Sequence, residues 1–86
     1  MKIEYIVQLI NENREIEFDY KGNKYSITYY NDNRKNYISV CQFYKQPIDV
    51  PNANEVLKLK IGDYTLQQIF ETLPDKDFDI YWDIKI

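Results

Sequence analysis

The chain has 86 residues, enough for one domain with a modest core, because a chain of this size buries about 60–65% of the surface its unfolded form exposes. Hydrophobic residues make up 44% and charged residues 29%, with two glycines and three prolines, which excludes a disordered or linker-like segment. A net charge of −3 and a pI near 4.8 count against a binder of nucleic-acid phosphates, which needs a basic face.

Residues 2–12 read as a helix, with Ile3, Ile6, Val7 and Ile10 at i, i+3, i+4 and i+7 and with Tyr5 and Leu9 widening the stripe. Asn11 or Asn13 suits the left-handed conformation that ends a helix. The next stretch, Glu15–Tyr30, is a β-hairpin pattern of two alternating runs around Gly22-Asn23. With Gly22-Asn23 as the loop, Lys21 faces Lys24, Tyr20 meets Tyr25, Phe18 meets Ile27 and Ile16 meets Tyr29. The opposite face then holds Glu15, Glu17, Asp19, Ser26, Thr28 and Tyr30.

After a polar turn at residues 31–36 the alternation resumes over Tyr37–Tyr44. Continuing the meander places Tyr29 opposite Ile38, Ile27 opposite Val40 and Tyr30 opposite Tyr37. Strict alternation would bury Gln42 and expose Phe43, so either a β-bulge turns Phe43 inward, the favoured reading, or Phe43 joins an exposed aromatic set. Lys45–Pro51, with Pro47 and Pro51 around Ile48 and Val50, predicts an extended connection. Asn52 followed by Glu55 starts a short helix carrying Ala53, Val56 and Leu57. Ile61-Gly62-Asp63-Tyr64 is a tight turn, and Thr65 with Gln68 opens a helix whose stripe is Leu66, Ile69, Phe70 and Leu73, stopped by Pro74. Phe78, Ile80, Trp82, Ile84 and Ile86 alternate with polar residues as a final half-buried strand, with Trp82 expected among Phe78, Ile80, Ile69 and Phe70. The predicted fold is α+β: one domain over residues 1–86, in the order α-β-β-β-α-α-β, forming an antiparallel sheet of about four strands with helices on one face.

The pattern Ile16-x-Phe18-x-Tyr20-x-Gly22-x-x-Tyr25-x-Ile27, followed by Lys60-Ile61-Gly62-Asp63-Tyr64-Thr65-Leu66, resembles a class of small uncharacterised α+β proteins of low-GC Gram-positive bacteria and their mobile elements. The matched positions are core and turn residues. The resemblance therefore implies the fold and brings no activity, ligand or catalytic residue with it.

Chemistry is sparse. There is no histidine, which removes Ser-His-Asp and Cys-His arrangements and the histidine metal motifs. Cys41 is the lone cysteine, so no internal disulfide forms, and its expected neighbours Ser26 and Ser39 supply no cation to activate a thiol. The N-terminus lacks a signal-peptide pattern, and the apolar runs are far short of the ~20 residues that span a bilayer. A cytoplasmic location, with a monomer or weak homodimer, is expected.

Two constellations stand out. If the last strand pairs with the first, Glu15, Glu17, Asp19, Asp79 and Asp83 converge on the outer sheet face, a pattern that can bind divalent cations or divide acid and base roles. Alternatively they form a solvated face. Tyr30 and Tyr37, with Tyr81 and Phe43, are the aromatic candidates for a protein-binding face. Base stacking is a weaker reading, because the surroundings are acidic. The expectation is an interaction module of inhibitor or adaptor type acting on another protein, with no cofactor and no catalysis; the alternative is a small metal-binding or hydrolytic domain using the acidic cluster.

Overall fold

A computed structural model describes residues 1–81; Trp82, Asp83, Ile84, Lys85 and Ile86 lie outside the described residues, and with them the expected burial of Trp82 and the place of Asp83 in the acidic group. Helix α1 (Ile3–Asn11) buries Ile6, Leu9 and Ile10. It ends as a Schellman turn: Asn13 adopts φ 58°, its N–H donates to the Ile10 carbonyl, and the Arg14 N–H donates to that of Leu9.

Strands β1 (Glu15–Tyr20), β2 (Asn23–Asp32) and β3 (Lys35–Gln42) form the meander. The two-residue loop between β1 and β2 is Lys21-Gly22, not Gly22-Asn23. The observed pairs are Ile16 with Ile27, Phe18 with Tyr25, and Tyr20 with Asn23. Both loop residues have positive φ, 50° and 81°, as a type I′ turn requires. Asn23 is thereby released into the strand. This register differs by two residues from the expected one, so every side chain stays on its expected face. The pairing of β2 with β3 is as expected: Ile27 with Val40, Tyr29 with Ile38, Tyr30 with Tyr37.

That ladder continues unbroken to Tyr25 opposite Gln42, so the expected bulge does not form. The Phe43 N–H instead donates to the Lys24 carbonyl, and its ring meets Tyr44 edge-on outside the core. The predicted connection at Lys45–Pro51 contains an edge strand, β4 (Ile48–Val50), antiparallel to β3. Then follow α2 (Ala53–Lys58), the two-residue strands β5 (Lys60–Ile61) and β6 (Tyr64–Thr65) around Gly62-Asp63, α3 (Leu66–Thr72), a single 3₁₀ turn (Asp75–Asp77) and β7 (Phe78–Tyr81). Asn52 caps α2 by accepting from the Glu55 N–H, and Thr65 with Gln68 makes a full capping box on α3.

The main sheet has five strands in the order β4-β3-β2-β1-β7, all neighbours antiparallel. Its inner face (Ile16, Phe18, Tyr25, Ile27, Ile38, Val40) closes one core with the buried residues of all three helices. Phe18 is at its centre. Its ring stacks on Tyr25 at 5.1 Å between centroids and meets Phe70 edge-on at 5.0 Å, with Phe78 at 6.2 Å. Helices that supply this core lie on one side of the sheet, which leaves the other side as an open pleated surface.

Candidate outer sheet face

Registers of the five strands arrange the outer side chains in rows. Asp79, Glu17, Ser26 and Cys41 form one row. Tyr81 and Glu15 start the next; continuing the register puts Glu15 level with Thr28, which pairs with Ser39, which pairs with Asp49. Tyr30 and Tyr37 lie beyond them, toward the β2–β3 turn, and Asp19 with Lys24 lie at the opposite end.

The tyrosine pair is stacked, with ring centroids 5.3 Å apart and planes at 23°. Tyr30 is 43% exposed and Tyr37 half-buried. The Tyr30 hydroxyl donates to Asp49 Oδ2 at 2.6 Å, reaching over β3 to the edge strand. This hydrogen bond to a carboxylate pushes the Tyr30 phenol up to about 12. On the inner side, the half-buried Tyr29 hydroxyl donates to the Arg14 carbonyl, and burial raises its pKa further. Tyr30 and Tyr37 also border a recess of about 370 Å³ at the turn end of the sheet, lined by asparagines, tyrosines and apolar residues without a charged side chain.

At the other end, the acidic residues converge around an ammonium. Lys24 Nζ lies 3.2 Å from Asp19 Oδ1, 3.8 Å from Asp79 Oδ2 and 4.0 Å from Glu17 Oε1. The hydrogen bond that the Lys24 ammonium donates to Asp19 leads in raising the Lys24 pKa. The Tyr81 hydroxyl donates to Glu17 Oε1 at 3.1 Å, which raises the phenol pKa in turn. The pairing of β7 with β1 thus brings Glu15, Glu17, Asp19 and Asp79 onto one surface. That surface is open, and the position central to three of the carboxylates is held by Lys24. Among the described residues no group of three or more His, Cys, Asp or Glu has metal-holding geometry.

The aromatic candidates do not form a single patch. Tyr30 and Tyr37 touch; Tyr81 lies two strands from Tyr30, across β1; Phe43 is beyond the far end of β3 and belongs with Tyr44. Between the tyrosine pair and the acidic end runs a trough of small side chains: Ser26, Thr28, Ser39 and Cys41. The Cys41 thiol is directed at the Gln42 and Lys45 carbonyls, 3.1 and 3.2 Å away. Asp49 and Lys24 are the members that sequence reasoning missed. Asp49 carries a faint signal, the apolar-polar-apolar run Ile48-Asp49-Val50, hidden by the flanking prolines.

Compared against protein families, curated proteins and solved structures, the chain finds no match in any of the three. No helix among the described residues is long and apolar enough to cross a membrane.

Proposed function

We propose that this chain is a small protein-interaction module, of inhibitor or adaptor type, that engages another protein through the outer face of its sheet, in the bacterial setting its resemblance implies. One observation carries the reading: a pleated surface outside the core presents a stacked, part-exposed tyrosine pair toward one end and a concentration of carboxylates toward the other. Tyrosines bring large contact area at low rotamer cost and are enriched among residues that dominate binding energy. The carboxylates steer a basic partner and repel an acidic one, the way an acidic inhibitor imitates nucleic-acid charge. The β4 edge is a poorer docking point than the face. It is three residues long and flanked by Pro47 and Pro51, features that blunt strand addition.

The test is capture from extracts of the source organism by immobilised protein, wild type against Tyr30→Ser/Tyr37→Ser. The double variant should keep its stability within about 1 kcal/mol, as for an exposed cross-strand pair, and lose the protein that wild type retains. Undiminished capture by a folded double variant overturns the reading.

A further inference from the structure

We infer that the partner presents an extended segment bearing two arginines four residues apart, laid across the strands of the outer face. This rests on the reading of that face as an interaction surface and names what it takes. The first argument is charge segregation. Glu15, Glu17, Asp19, Asp79 and Asp49 share the face with Lys24 as its central cation, a formal −4. Residues 1–81 carry −3, as the whole chain does, because Asp83 and Lys85 cancel, so the described residues outside the face are net positive by one. A surface that holds all of the molecule's net negative charge, and more, selects a cationic occupant and opposes a second copy of itself.

The second argument is the shape of each charged end. At β4, Asp49 accepts one hydrogen bond from Tyr30 and keeps further acceptor positions beside two stacked phenol rings. A guanidinium can lie flat on a ring and donate in parallel to the carboxylate; an ammonium cannot do both. At β1 and β7, the exposed Glu15 lies opposite Tyr81, and beside it Glu17 and Asp79 share one ammonium with Asp19, which leaves that end anionic.

The third argument is spacing. Glu15 on β1 and Asp49 on β4 share the row of Thr28 and Ser39 and are three strand intervals apart, about 14 Å at ~4.8 Å per interval. An extended chain rises ~3.4 Å per residue and returns to the same side every second residue, so positions i and i+4 are about 14 Å apart and face the same way. Position i+2 falls over the small side chains of Thr28 and Ser39 and must itself be small.

The experiment titrates ¹⁵N-labelled protein with the peptide Arg-Ser-Gly-Ser-Arg, blocked at both ends, and follows backbone amide shifts. Shifts should centre on Thr28, Ser39 and Cys41. Placing the two arginines next to each other, replacing both by lysine, Asp49→Asn, or Glu15→Gln should each weaken binding about five-fold, the scale of one exposed charge contact. Glu71→Gln on α3 should change nothing. Equal binding of the adjacent-arginine peptide, shifts mapping to the helices, no shift at millimolar peptide, or concentration-dependent shifts of the same amides without peptide would each overturn the inference. Its failure is separable from that of the underlying reading, which stands or falls on capture by Tyr30→Ser/Tyr37→Ser.

Discussion

Gly22 and Asn23 are neighbours with opposite requirements. Gly22 has φ 81°, a region that β-branched side chains avoid, whereas Asn23 begins β2 opposite Tyr20. Gly22→Val should cost about 1–3 kcal/mol through backbone strain. Asn23→Val should be neutral or stabilising, because a β-branched residue replaces a poor strand former. Thermal melts of both variants check this; a loss at Asn23 equal to that at Gly22 would move the loop by one residue. Tyr30 gives a second prediction for single residues. Its phenol ionises near 10 in the unfolded chain and near 12 in the fold, so the neutral, Asp49-bonded form contributes stability in full below pH 10, and that contribution is lost as pH rises from 10 to 12. Asp49→Ala should return the Tyr30 transition toward 10 and remove this loss. Ring-carbon NMR titration of the tyrosines follows the first effect and melts across pH 9–12 the second.

Among the elements, the aromatic cluster joins layers that are far apart in the chain. Phe18 of β1 is fully buried against Tyr25 of β2, Phe70 of α3 and Phe78 of β7. Phe18→Ala should therefore cost about 3–5 kcal/mol, against roughly a tenth of that for truncating an exposed strand residue such as Asp19. Denaturant melts measure the difference, and a cost below about 2 kcal/mol would mean that the site collapses to fill the space. The same elements mark where sequence reading succeeds. Helix α3 was legible because capping box, apolar stripe and Pro74 agree. The β2–β3 register was legible because Tyr30 and Tyr37 bracket a turn whose two ends alternate in phase, and this also made the tyrosine pair predictable. The β1–β2 register was misread because a two-residue shift leaves every side chain on its face; periodicity is blind to it, and only turn stereochemistry decides. Strand β4 escaped because three residues between prolines are too few to show alternation, and Asp49, which fixes the Tyr30 hydroxyl, escaped with it. Hydrophobicity alone favours an inward Phe43, yet pairing continues to Gln42 and leaves Phe43 outside the core.

Across the whole molecule, the sheet separates two physical regimes, an apolar core on one side and a surface of like charges on the other. Crowded carboxylates on a rigid sheet repel each other more than they do in an expanded chain, so the face draws on stability that the core supplies. Lys24 is the residue placed to limit this repulsion, within 4.0 Å of Glu17, Asp19 and Asp79 on three different strand positions. Lys24→Met keeps the aliphatic stem and removes the ammonium, so the repulsion is left to solvent and salt. Added salt shortens the screening length from about 30 Å at 0.01 M to about 4 Å near 0.5 M, which spans the separations across this face. The melting temperature of Lys24→Met should therefore rise more steeply with NaCl between 10 mM and 500 mM than that of wild type. Adding Asp19→Asn to the variant should bring the slope back toward wild type, because one of the repelling charges is gone. Parallel slopes for wild type and Lys24→Met would show that the carboxylates are screened by water alone and that the ammonium does not govern the charge of the face.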